Sequence, residues 1–155
     1  MNQLTPQADV IIPGEWHVRY NYSAGLVASQ FLNALRERKI LASRCSKSGI
    51  AYVPPRAYCE SSFERCDSWV EVGHRGVIEA ATIVTAAFDH LPPPPYAIAY
   101  VRLEGASTAL LNFVRGLDLS DVPAAAAKLQ PGARVDVRFR DDPEGRITDF
   151  HYEIS

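Results

Sequence analysis

Apolar positions recur at a spacing of four between Ser23 and Lys39, where Val27, Phe31 and Leu35 share one face with Leu32 beside them. That period predicts an amphipathic helix capped by Ser23. Arg36, Arg38 and Lys39 place positive charge at its C-terminal end, where the helix dipole favours it. Further along the period shortens to two. Residues 96–103 alternate, with either Ile98 and Tyr100 or their neighbours facing inward. Residues 134–140 set Val135, Val137 and Phe139 on one face and Asp136, Arg138 and Arg140 on the other. Residues 77–85 form a run of β-branched and small side chains, and residues 108–115 and 147–154 read as further strands. Pro92 to Pro95 force an extended loop, Glu104-Gly105 reads as a turn, residues 122–129 as a short alanine-rich helix, and residues 141–145 as a hairpin turn. Five strands with one short helix between the later ones predict a small Greek-key β-barrel of the OB type.

The segment between helix and barrel has neither period. It runs from a short apolar stretch at Ile40 through Cys45, a second stretch at residues 50–53, Pro54-Pro55-Arg56, Cys59 and Cys66 to Trp69-Val70-Glu71-Val72. Two short hairpins with a cysteine at each tip are the arrangement of a zinc ribbon. The expected fold is therefore mainly β: an irregular aromatic arm and helix over 1–39, a ribbon-like unit over 40–73, and a barrel over 74–155. Trp16, Tyr20 and Tyr22 lie in the arm, and arms of that composition pack on their own domain or on a partner.

Composition narrows the function classes. The chain of 155 residues carries 16 Lys+Arg against 18 Asp+Glu, a formal −2, which argues against a nucleic-acid surface as the main role. No apolar run approaches the roughly 20 residues of a membrane helix, and residues 1–10 show no basic-then-apolar leader, so a cytoplasmic protein is expected. In a reducing compartment three cysteines within one short segment suggest a metal site, or the remains of one, before they suggest a disulfide.

The spacing favours the remains. A structural zinc ion needs four soft or imidazole ligands, usually from two Cys-x-x-Cys knuckles. Here Cys45 is followed by Ser48 and Cys59 by Ser62, so each knuckle keeps only its first sulfur. A neutral hydroxyl is a weak zinc ligand. No cofactor is therefore expected; a rearranged zinc site would need Cys45, Cys59 and Cys66, with His74 as a fourth ligand. Packing of Leu41, Tyr52, Val53 and Tyr58 is expected to hold the ribbon instead. No nucleophile elbow, glycine-rich phosphate loop or histidine cluster is present, and Asp141 and Asp142 sit in a turn. A nucleophilic role for Cys59 or Cys66 is the weaker reading of thiols in such loops. The residues thus describe a binding or accessory protein.

The order of parts resembles a known family. Arg44-Cys45, Tyr52-Val53-Pro54-Pro55-Arg56, Cys59, Trp69-Val70-Glu71-Val72, the strand from Gly76, Pro95-Tyr96-Ala97-Ile98-Ala99 and Leu103-Glu104-Gly105 are similar to the thiolase-associated family that joins a rubredoxin-like zinc ribbon to an OB-fold, the domain of unknown function 35. The resemblance spans roughly residues 24–140 and departs from the family's four cysteines at two positions. It implies an accessory subunit of a thiolase-fold acyl-CoA enzyme, with the catalytic residues in the partner and acyl-CoA at the shared site. By position it would turn Pro54, Pro55, Arg56 and Tyr58 toward the partner or the CoA, Arg56 being suited to a phosphate or carboxylate. Stiffening of the loop by the two prolines is an equal alternative, and Trp69 is expected as an anchor between ribbon and barrel. The competing function is an OB-fold for single-stranded nucleic acid, using Arg134, Arg138 and Arg140 with Tyr96 and Tyr100.

Overall fold

The computed structural model describes residues 11–155. Residues 1–10, over which no leader is expected and with which the predicted arm begins, lie outside them. Residues 11–24 take neither helix nor strand. Helix α1 (Gly25–Arg36) follows; its N-cap is Ala24, one residue past the predicted Ser23, whose hydroxyl accepts from the Gly25 amide without capping the helix. Its buried residues are Phe31, Ala34 and Leu35, with Val27 half-buried. The helix stops where Arg38 turns left-handed (φ 59°) and the Arg38 and Lys39 amides donate back to Leu35 and Ala34.

Strands β1 (Leu41–Arg44), β2 (Ala51–Tyr52) and β3 (Ser68–Glu71) form a three-stranded antiparallel sheet in the order β2-β1-β3. The barrel consists of β4 (Arg75–Val84), β5 (Tyr96–Leu103), β6 (Leu110–Arg115), β7 (Arg134–Phe139) and β8 (Phe150–Ile154). It closes in the order β4-β5-β6-β8-β7, with β6 and β8 parallel and α2 (Val122–Lys128) between β6 and β7. That is the predicted OB arrangement. On β5 the inward set is Ala97, Ala99, Val101 and Leu103, leaving Tyr100 exposed. Closure demands a tight seam: a Cβ on Gly76 would lie 2.6 Å from a Val101 methyl and 2.7 Å from the Arg102 carbonyl oxygen. The predicted last strand opens instead as a 3-10 turn (Ile147–Asp149). There the buried Asp149 accepts from the Gly145 and Arg146 amides at 2.6 and 2.8 Å, so the backbone is held in a turn before β8 begins.

Helix, ribbon base and barrel share one apolar core. Phe31, Leu35, Ile40, Ala42 and Val53 pack in the same cluster as Ile78, Val101, Val135 and Phe150. Two arginines dock the helix on the hairpin turn before Asp149, Arg36 donating to the Glu144 carbonyl (2.9 Å) and Arg38 to that of Asp141 (2.7 Å). The ribbon is fixed by the loop between β5 and β6. The Ala51 amide donates to the Ser107 hydroxyl (3.0 Å), and the Val53 amide to that of Thr108 (2.8 Å). Thr108 returns its own proton to the Val53 carbonyl (2.8 Å).

Val53 is fully buried, so its amide has no water to turn to. Thr108→Val keeps the side-chain shape and removes both bonds. It should lower unfolding stability by about 1–3 kcal/mol in urea titration, whereas an unchanged midpoint would show that the clamp is dispensable.

Candidate functional site

The two cysteine loops are built alike. In the first, Gly49 donates to the Cys45 carbonyl, Cys45 to that of Ile50, and the Ile50 amide to the Ser48 hydroxyl. In the second, Phe63 donates to the Cys59 carbonyl, Cys59 to that of Glu64, and the Glu64 amide to the Ser62 hydroxyl. The residue after each serine is left-handed, Gly49 at φ 75° and Phe63 at φ 56°. That conformation suits glycine and is uncommon for a residue as bulky as phenylalanine. Each loop thus presents a cysteine and the serine three positions later toward the other loop.

The four side chains meet. Cys45 Sγ lies 3.4 Å from Ser62 Oγ, and Cys59 Sγ 3.2 Å from Ser48 Oγ. Two more hydroxyls reach Cys59, those of Ser61 and Tyr52, each at 3.2 Å. Cys45, Cys59 and Tyr52 are buried as a small cluster of their own, with Cys66 and Ile50 packed on it. A thiol has one proton to give, so of the three hydroxyls around Cys59 at least two must donate to sulfur. The Ser48 hydroxyl, then those of Ser61, Ser62 and Tyr52, hold the Cys59 thiol down to about 5, because the sulfur is enclosed by donors and not by hydrocarbon alone. Cys45 is lowered too, chiefly by Ser62. Tyr52 is raised, first by its bond to Cys59 and then by burial, as befits a hydroxyl that keeps its proton to donate. Cys66 is raised by burial, which leaves it a protonated thiol and a poor nucleophile.

Above this cluster runs the loop that the sequence singles out. Pro54 is exposed, behind a cis Val53–Pro54 bond, and Pro55 is half-buried. Arg56 is tied by its backbone to Ser43, whose hydroxyl accepts from the Arg56 amide and donates to its carbonyl, both at 2.8 Å. Its guanidinium lies 5.1 Å over the Tyr52 ring and pairs with Glu60. The Tyr52 hydroxyl in turn accepts from the Glu60 amide. Tyr58, expected to pack under the ribbon, is 57% exposed and lies beside the Arg65 guanidinium, because its short bridge to Arg65 turns the ring outward. Tyr52 and Val53 are fully buried as expected, Leu41 and Trp69 half-buried. Spacing identifies Ser48 and Ser62 as the vacated ligand positions; it carries no signal for Tyr52 and Ser61, which reach Cys59 only through the fold.

Among the described residues no three Cys, His, Asp or Glu side chains come together to hold a metal ion. His74, the expected fourth ligand of a rearranged site, instead packs against Phe139 of β7 with ring centres 5.4 Å apart. On the arginine face predicted for 134–140, Arg138 pairs with Glu153 at 3.3 Å and Arg140, just past β7, with Glu144 at 3.2 Å, while Arg134 is exposed. In the arm Ile11, Ile12, Trp16, Tyr20 and Tyr22 are 75–89% exposed. Among the described residues no helix is long and apolar enough to cross a membrane.

Because Cys59 titrates below its ordinary value in the folded state, it stabilises the fold fully above the unfolded thiol's range. That contribution is lost as pH falls through about 5. Thiolate ultraviolet absorbance of the folded protein should persist to about that pH, and Ser48→Ala should move its loss upward. Absorbance that arises only in the ordinary thiol range would contradict the donor arrangement.

Residues 69–140 match the family model described as the C-terminal OB-fold domain of ChsH2. Among solved structures, the chain is similar to the Ltp2-ChsH2(DUF35) aldolase, with a TM-score of 0.64 and 17% identity over 88% of this chain and 98% of that one. It is also similar to a protein of unknown function from the DUF35 family of Sulfolobus solfataricus, with a TM-score of 0.61 and 24% identity over 84% of this chain and 87% of that one. No curated protein sequence matches this chain. The expected resemblance to the OB-fold family of unknown function 35 is met.

Proposed function

With a barrel matched to the ChsH2 C-terminal domain as the premise, we propose that this chain is a noncatalytic subunit of a thiolase-fold acyl-CoA enzyme, completing its assembly and its acyl-CoA site. The observation that carries the reading is the family match over residues 69–140 together with the fold shared with the Ltp2-ChsH2 aldolase. Two features of this chain support it. Among the described residues the arm exposes six large apolar side chains, and aromatic residues such as Trp16, Tyr20 and Tyr22 are the usual anchors of protein interfaces. At the ribbon tip, in contrast, Cys45 and Cys59 are bonded to hydroxyls and Arg56 is held by Glu60 and Tyr52.

The loop from Pro54 to Tyr58 is the part of the ribbon offered to the partner or the CoA. Arg56 is already oriented by Ser43 and Tyr52. A phosphate or a partner carboxylate would exchange with Glu60 at little conformational cost, since the guanidinium fork need not be ordered anew. The catalytic nucleophile and base belong to the partner, and this chain contributes positioning.

Addition of the chain should raise the acyl-CoA activity of the thiolase-fold enzyme encoded beside it. Replacing Trp16, Tyr20 and Tyr22 together by alanine should weaken the complex about tenfold or more without altering the fold, as read by titration calorimetry and circular dichroism. Equal affinity with the arm stripped would remove the arm from the interface. Arg56→Ala should raise KM for the acyl-CoA several-fold with kcat little changed; a fall in kcat at constant KM would place Arg56 in a different role.

A further inference from the structure

A zinc ribbon joins its two knuckles through an ion held by four sulfurs or imidazoles, and the family resemblance implies such a site here. The donor set present does not fit it. Two of the four positions hold neutral hydroxyls, Ser48 and Ser62, and the remaining thiols, Cys45 and Cys59, are each bonded to the opposite knuckle's serine. Yet the frame around them is that of a knuckle pair. Both turns repeat the same two backbone bonds and the same amide-to-serine bond, and both keep a left-handed residue after the serine, even where that residue is Phe63. A phenylalanine at φ 56° costs conformational energy that an ordinary turn would avoid.

We propose that the ribbon tip is a metal-free cross-link in which reciprocal thiol–hydroxyl bonds, Cys45 with Ser62 and Cys59 with Ser48, replace the ion, and that the frame remains poised to bind zinc once the two sulfurs are restored. Reciprocity is what makes it a cross-link: each knuckle supplies one sulfur and one hydroxyl, so neither loop can open without breaking both bonds. Tyr52 and Ser61 complete the coordination of Cys59, and Tyr52 ties the cross-link to the sheet and, through its ring, to Arg56. Hydroxyl protons meet the sulfurs where an ion would, so the hydrogen-bonding needs of the network are met without a cation.

The test compares three chains. Wild-type protein purified without chelator should contain no stoichiometric zinc by elemental analysis, and its melting temperature should not change on addition of EDTA. Ser48→Ala with Ser62→Ala should lower the melting temperature by roughly 4–8 °C, as expected for losing two hydrogen bonds in a chain of this size. Ser48→Cys with Ser62→Cys should bind one equivalent of cobalt(II) with the absorption bands of tetrahedral thiolate coordination, and should gain an EDTA-sensitive melting temperature. The proposal is overturned by one zinc per wild-type chain, by an alanine pair as stable as wild type, or by a folded cysteine pair that takes up no cobalt. Should the cysteine pair fail to fold, the wild-type metal content and the alanine pair still decide it.

Discussion

A strand of two residues joins the ribbon to the barrel. Ala51 and Tyr52 pair with β1 on one side, while Ser107 and Thr108 of the barrel hold the backbone of Ala51 and Val53 on the other. Tyr52 lies between these two attachments with no exposure, its hydroxyl on Cys59 and its ring beneath Arg56. Everything proposed for the ribbon passes through this strand. The loop at Pro54 leaves directly from it, so the placement of Arg56 relative to the barrel is set by buried hydrogen bonds and not by a flexible linker. Such bonds are costly to break, because the partner left behind is buried and unpaired.

The same economy appears at the other end of the molecule. The helix is docked by Arg36 and Arg38 on carbonyls of the turn that Asp149 stabilises. Burial would raise the Asp149 carboxyl, yet the amides of Arg146, Glu144 and Gly145 and the nearby Arg140 hold it below its usual range. Arginine predominates over lysine in this chain, 13 to 3, and several of these side chains serve as carbonyl or carboxylate clamps within the fold. Among the described residues the arm carries the densest run of exposed large apolar side chains, with Leu26, Phe63 and Phe88 exposed elsewhere.

Periodicity carried the barrel and the helix stripe because one face of each element is buried. The alternation at Val135, Val137 and Phe139 and the spacing of Phe31 and Leu35 are direct consequences of that burial. The knuckle positions of Ser48 and Ser62 were legible because ligand spacing is local. What could not be read came from tertiary pairing. Tyr52 and Ser61 on Cys59, Thr108 on Val53 and Asp149 on its turn join residues through geometry that no local pattern encodes. Tyr58 differs from expectation for a related reason: an aromatic ring between apolar runs reads as core, and only the bridge to Arg65 turns it outward. The helix is capped at Ala24, one residue past Ser23, because local composition alone does not fix the first helical turn.

In the proposed role this chain works as part of a larger enzyme. Native mass spectrometry of the tagged chain, captured from the cells that naturally make it, examines that directly. The expected result is a heteromer in which the captured chain, 17.1 kDa before the tag is added, is accompanied in fixed stoichiometry by a thiolase-fold subunit that carries the catalytic residues. A spectrum of the chain alone, or of copies of itself only, under conditions that preserve other heteromers from the same cells, would contradict it.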